Sequence, residues 1–210
     1  FPTRRSSDLY ARSTQMNSRI RVFHASPNAP AVDIYANGNL IVKNLSYKEL
    51  SQYLSVPDGN YNIKVYPSGK MTNPVINTNI YIPQNAVITV AAIGTLPNIS
   101  LFPIPDPIAA QDCGNACVRF IHLSPNAPAV DIKLSNGTRV FNNVSYKEIT
   151  NYACVPAGTY TFNVGLAGTD SIVLTVPNIK LEPNIYYTIY AIGLVGKSPA
   201  LEAIVVPELR

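Results

Sequence analysis

The sequence has no tryptophan, two histidines, three cysteines and two methionines in 210 residues. Charged side chains make up 13% of it, about half the share usual in soluble domains. Each shortage excludes something. A net charge of +4 with no Lys or Arg cluster does not build the basic, aromatic-interleaved stripe that holds a phosphate backbone, so no nucleic-acid partner is expected. Leaving out Arg4, Arg5, Arg12 and Asp8 makes residues 18–210 almost neutral, 13 basic against 11 acidic. No run approaches the ~18 consecutive apolar residues of a membrane-crossing helix, so no membrane span is expected. Without an indole ring the strongest sugar-stacking surface is missing. That weakens a glycan platform on Tyr66 and Tyr81 against the ordinary reading of these rings as cross-strand pairs.

What is abundant is apolar or turn-forming. Hydrophobic residues reach 47%, beside 18 prolines, 11 glycines and 13 tyrosines. That balance suits short, half-buried strands joined by turns, and an all-β protein is expected. The chain begins at Phe1 rather than Met, so the natural start, with any export signal, is expected to be missing or replaced. The run from Phe1 to Leu9 shows no periodicity and resembles translated sequencing-adapter sequence. Residues 1–17 are therefore expected to be a non-domain leader.

The main organisational fact is a duplication. The run H-A-S-P-N-A-P-A-V-D-I from His24 to Ile34 returns as H-L-S-P-N-A-P-A-V-D-I from His122 to Ile132, 98 residues on. With one residue inserted, S-Y-K-E from Ser46 to Glu49 returns at Ser145 to Glu148, 99 residues on. In that frame V-P-x-G-x-Y from Val56 to Tyr61 matches Val155 to Tyr160, and A-I-G from Ala92 to Gly94 matches Ala191 to Gly193. Such a period is too long for solenoid or propeller units of ~20–50 residues and equals one small self-contained domain. Two autonomous beads are expected, 18–105 and 116–208, joined by a short stiff linker at 106–115 beside the prolines of Pro103 to Pro107.

Inside each copy the pattern is strand-like. Apolar and polar residues alternate from Tyr61 to Val65 and from Tyr160 to Val164, each after a Pro-x-Gly turn. Apolar runs from Ala86 to Ile93 and Tyr186 to Ile192, each with a single threonine, predict central strands buried on both faces. Further strands are expected at Arg19 to Phe23, Val32 to Ala36, Leu40 to Lys43 and Leu101 to Ile104. About seven strands per copy describe a β-sandwich of immunoglobulin-like or prealbumin-like type. The segment after Ser46 fits a strand or one helical turn equally, with Ser46 as cap, Glu49 at its third position, and Tyr47, Leu50 and Leu54 on one face.

The repeated H-x-S-P-N-A-P-A-V-D-I run, with S-Y-K-E and V-P-x-G-x-Y behind it, resembles the signature of the DUF4397 family, in two copies across residues 19–208. The resemblance implies a bacterial, mostly secreted or envelope-associated β-sandwich module, often in tandem, with no established catalytic role and no active-site residues to carry over.

Candidate chemistry centres on the shared run. His24 and His122, the only histidines, are each followed nine residues later by Asp33 or Asp131. A ligand or metal site on these pairs is one reading, but a metal normally takes three or four ligands and no further His or Cys recurs in both copies. The preferred reading is that His and Asp organise the Ser-Pro-Asn-Ala-Pro loop by bonding its backbone groups. Ser26 and Ser124, two residues after each histidine, invite a nucleophile reading, yet each precedes proline and lacks a Gly-x-Ser-x-Gly elbow and a second histidine. Lys48, Glu49, Lys147 and Glu148 read as exposed ion pairs of little worth. The alternative, an isopeptide involving Lys48, Glu49 and Asp33, would lower the intact mass by about 17 Da. Among Cys113, Cys117 and Cys154 the expected bridge is Cys117 to Cys154, with Cys113 free or joined to another chain. The first copy has Arg19 and Ser55 at the bridge positions, so the bond is optional for the fold. The Cys-x3-Cys spacing from Cys113 to Cys117 is too weak a signal for zinc.

The functional expectation is a non-enzymatic, exported tandem module of the bacterial envelope, structural or adhesive, with no cofactor, whose partner is a cell-envelope component or another protein. The alternative is a binding module for a glycan or a metal with one site per repeat around the shared loop. An enzyme ranks last.

Overall fold

The computed structural model describes residues 17–108 and 114–208. The leader, Asn17 excepted, and Cys113 lie outside the described residues, and none of the described residues is helical. The first repeat forms β1 (Ser18–His24), β2 (Val32–Ala36), β3 (Asn39–Leu45), β4 (Leu54–Val56), β5 (Gly59–Pro67), β6 (Ile76–Ile82), β7 (Val87–Thr95) and β8 (Asn98–Pro105). The second forms β9 (Asn115–His122), β10 (Val130–Leu134), β11 (Arg139–Val144), β12 (Ala153–Pro156), β13 (Gly158–Leu166), β14 (Ile172–Leu181), β15 (Tyr186–Ile192) and β16 (Glu202–Pro207).

Each repeat builds two four-stranded sheets, in the orders β4-β1-β7-β8 and β3-β2-β5-β6 in the first, and β12-β9-β15-β16 and β11-β10-β13-β14 in the second. The fold is all-β, with two sandwich-like halves. Pairing is antiparallel except between β1 and β7, and between β9 and β15. A parallel pair needs a long crossover, and here the crossover is the other sheet of the same repeat. Sequence patterning does not mark β4 and β6. The latter carries Asn77 and Asn79 on a sheet edge and buries only Ile76 and Ile82. Edge strands need little apolar surface, because one long side meets solvent.

The segment after Ser46 opens as a tight turn rather than a helix, and of its apolar residues Leu50 makes a single bridge to Phe23 and Leu54 begins β4. Glu49 N–H donates to Ser46 O at 3.1 Å, the Glu49 carboxylate accepts from Ser46 N–H at 2.7 Å, and Lys48 lies at φ 77°. The capping pair forms, but the left-handed Lys48 turns the chain away from a helix.

Burial explains the apolar runs. On β1, Ile20, Val22 and His24 face the interior of their own sandwich, whereas Arg21 and Phe23 face the other repeat. The same alternation on β7 sends Val90 and Ala92 inward and Ala91 and Ile93 outward. Phe23, Ala91, Ile93 and Ile104 of the first repeat pack with Ile121, Leu123, Tyr190 and Ile192 of the second into one buried cluster. The two sandwiches are therefore not independent beads: the second face of each central strand is covered by the neighbouring repeat. Asp106, expected to open the linker, is instead 7% exposed and donates its N–H to Val87 O at 2.8 Å.

Cys117 and Cys154 stand opposite each other on β9 and β12 and form a disulfide, 37 residues apart in sequence. Arg19 and Ser55 hold the same register on β1 and β4. The double variant Cys117→Ser/Cys154→Ser is expected to fold, because the first repeat builds this pair without sulfur. Its unfolding free energy in urea should drop by about 2–4 kcal/mol, the usual worth of a bridge. An unchanged midpoint would mean the bond adds no constraint.

Candidate functional site

The shared run folds into the same arrangement twice. His24 donates from Nε2 to Pro30 O at 3.0 Å, and His122 from Nε2 to Pro128 O at 3.1 Å. A carbonyl only accepts, so the hydrogen of each neutral ring is on Nε2. Ser26 Oγ donates to Gly94 O and Ser124 Oγ to Gly193 O, both at 2.7 Å. These glycines sit at φ 87° and 85°, and a Cβ there would lie 2.3 Å from Asn98 O or 2.1 Å from Ala200 O. That close approach explains the repeated A-I-G.

Asp33 and Asp131 lie beside register shifts in the β2–β3 and β10–β11 pairs. A bulge leaves backbone N–H groups without ladder partners, and the carboxylates supply them. Asp33 accepts from Asn44 N–H at 2.7 Å, Gly69 N–H at 2.9 Å and Ser68 Oγ at 3.1 Å. Asp131 accepts from Asn143 N–H at 2.8 Å and Gly168 N–H at 3.2 Å, with Arg139 at 3.6 Å. The structure thus brings His, Ser and Asp into one neighbourhood of each repeat but bonds each to the backbone, with no His–Asp or His–Ser side-chain pair. Among the described residues no three metal-ligating side chains converge.

Two pH windows follow. Burial pushes both imidazoles below the usual histidine range, against the opposing bonds to Pro30 and Pro128. A lowered folded-state pKa means their stabilising contribution is full above the unfolded value of ~6.5 and declines as pH falls below it. Asp33 is held below the usual carboxylate range by the amides of Gly69 and Asn44, and Asp131 by that of Asn143. Their contribution is full above ~3.9 and is lost as pH falls further. The urea midpoint should therefore fall between pH 7 and pH 5. The variant His24→Gln/His122→Gln, less stable throughout, should lose that slope, and retention of the slope would assign it elsewhere.

The remaining candidates separate. Lys48 Nζ pairs with Glu202 of the other repeat at 2.8 Å, largely in solvent, rather than with Asp33, and Lys147 stands over the Tyr146 ring at 5.4 Å. Glu148 repeats the Glu49 role, accepting from Ser145 N–H at 2.9 Å. Tyr66 meets Tyr35 edge-on at 5.5 Å, and Tyr81 is exposed.

Sequence reasoning missed a buried charge cluster between the repeats. Arg21 donates from Nε to Thr89 Oγ1 and from Nη2 to Glu208 Oε2, both at 2.7 Å. Its counterpart Arg119 donates from Nε to Thr188 Oγ1 at 2.9 Å and from Nη2 to Asp106 Oδ1 at 2.7 Å. Each arginine thus binds a threonine of its own repeat and a carboxylate of the other. The threonine hydroxyls close the circuit, Thr89 onto Asp106 and Thr188 onto Glu208. Arg21 lies over Tyr53 and Arg119 over Tyr152, at 4.7 and 5.1 Å from the ring centres. Burial, then the charge of Asp106, pushes the Glu208 carboxyl above the usual range, while both arginines pull it back. The signal was available: Arg21 and Arg119, Tyr53 and Tyr152, and Thr89 and Thr188 are offset matches, and an arginine repeated mid-strand between apolar residues marks a buried partner.

Two solved structures resemble the chain weakly. The Bacillus anthracis TIE protein aligns over 91% of this chain and 44% of its own, at 10% identity and a TM-score of 0.28; this chain thus spans less than half of that protein. The CBM26 module CBMbc of Eubacterium rectale Amy13K, solved with maltoheptaose, aligns over 93% of this chain and 98% of its own, at 9% identity and a TM-score of 0.27. Likenesses this weak say nothing of ligand or activity. No curated protein matches. The model of DUF4397, a domain of unknown function, matches residues 18–133 and 134–209, and on that coverage the chain belongs to the DUF4397 family.

Proposed function

We propose that the protein is a non-enzymatic tandem β-sandwich, exported to serve as a structural or adhesive module of the bacterial envelope. The observation that carries this reading is the fate of the shared run. His24, Ser26 and Asp33, with their counterparts, are at most 5% exposed and are engaged with backbone carbonyls and amides, which suits a scaffold better than a reacting centre. The Cys117–Cys154 bridge supports export, since structural disulfides persist in oxidising compartments. The buried contact between the repeats supports a stiff unit that holds its two ends at a set separation.

The test is fractionation of a bacterium carrying the natural protein, with protease shaving of intact cells. Recovery from the envelope or the medium is expected, and recovery from the cytosol would overturn the proposal. Binding of the purified chain to isolated envelopes should survive Ser26→Ala/Ser124→Ala. A turnover activity abolished by that variant would restore the enzymatic reading.

A further inference from the structure

We infer that the first repeat holds a binding site for a small uncharged, mainly hydrocarbon molecule carrying one hydrogen-bond donor, in a cavity between its two sheets that the second repeat fills with its own side chains. The cavity measures about 250 Å³ and is walled by residues that include Val22, Ile34, Ile63, Val65 and Val90, together with His24. Native cores contain few voids larger than a water molecule, so a space of this size marks a place where packing is left incomplete.

Comparison of the repeats shows how it arises. Val22 and Ile63 correspond to Phe120 and Phe162, whose rings are 0% and 1% exposed and belong to the core of the second sandwich. Ala36 corresponds likewise to Leu134, which packs against that core. The strand order is the same in both repeats, although β13–β14 carries two register shifts that β5–β6 lacks; at these three wall positions the first repeat has the smaller side chain, while at Leu45 and Leu54 it has a larger one than Val144 and Ala153.

The wall states the chemistry of the guest. No charged side chain lines the cavity, which excludes an ionised ligand by desolvation. Dry apolar cavities take apolar guests, and since one of ~150 Å³ holds benzene, this one has room for about ten non-hydrogen atoms. Apart from Asn37 and Asn39 at the exposed rim and Tyr61, whose hydroxyl is given to Pro57 O, the polar side chain of the wall is His24. His24 is 1% exposed and its Nδ1 has no partner, whereas Nδ1 of His122 accepts from Ser124 N–H at 3.3 Å. With Nε2–H given to Pro30, Nδ1 of His24 is a lone-pair acceptor that a hydroxyl or N–H of the guest would satisfy. Access is from the rim, where Asn37, Asn39 and Pro57 are exposed.

The test uses the whole chain with 4-ethylphenol, 1-octanol, ethylbenzene and octanoate, read by thermal unfolding and calorimetry. At about ten times its dissociation constant, 4-ethylphenol or 1-octanol is expected to raise Tm by roughly 3–6 °C. Ethylbenzene should bind several-fold more weakly than 4-ethylphenol, and octanoate should not bind. The graft Val22→Phe/Ile63→Phe should abolish the response, and Ala36→Leu, a milder fill, should weaken it even if the graft does not fold. Absence of any response in the natural chain, equal binding of octanoate and 1-octanol, or a full response in the filled variants would overturn the site. None of these outcomes bears on export or envelope location.

Discussion

Arg119→Ala is expected to lower the unfolding free energy by about 3–5 kcal/mol, the range for breaking a buried ion pair from one side. The guanidinium is 4% exposed. Besides Thr188 and Asp106 it reaches Pro105 O at 2.6 Å, so its loss leaves the buried Asp106 carboxylate with only the hydroxyls of Tyr53 and Thr89 as close donors and takes a donor from the carbonyl. Arg21 is 3.8 Å from Asp106 and already engaged with Glu208, so it does not replace the missing partner. Asp106 is the first repeat's contribution and Arg119 the second's, so the variant also loosens their contact. Unfolding in urea, followed by far-ultraviolet dichroism and tyrosine fluorescence, should change from coincident to separated transitions. Adding Asp106→Ala should recover part of the loss, because a pair removed together leaves no orphan charge. A loss below about 1 kcal/mol in Arg119→Ala would mean that the cluster is hydrated and that the contact rests on apolar packing alone.

Tyr190→Ala should cost about 3–5 kcal/mol, as for other large rings removed from cores. Tyr190 is 0% exposed and its ring lies 4.8 Å from that of Phe23. Its counterpart in the first repeat is Ala91, and the counterpart of Phe23 is Ile121. Each repeat thus offers one large and one smaller side chain, and the ring of one fills the space left by the small residue of the other. Deleting the ring opens the junction, whereas Tyr190→Phe keeps it and removes a hydroxyl that has no hydrogen-bond partner. The phenylalanine variant should match or exceed the natural chain in stability, because an unpaired buried hydroxyl is a cost. Thermal unfolding of the two variants separates packing from polarity, and a large loss in Tyr190→Phe would show that the hydroxyl matters.

Much of this architecture was legible beforehand. The two-residue alternation from Tyr61 to Val65 reports one buried face, and the apolar run from Ala86 to Ile93 reports two. The Pro-x-Gly turns bound the strands, and the 98-residue offset carries each feature into the second copy. The shared run was legible in part. Paired His and Asp beside prolines pointed to backbone groups in need of partners, but the bulge that creates the need at Asp33 appears only when β2 meets β3 with its register shift.

The sequence by itself determined that there are two sandwiches, because hydropathy period and turn chemistry are local and were written twice. What covers the second face of β7 and β15, which carboxylate meets which arginine, and where a core is left unfilled depend on groups far apart in the chain, as Arg21 and Glu208 are at 187 residues. Apolar burial has no direction and ion pairs no sequence register. Only the tertiary structure could decide that each repeat completes the other.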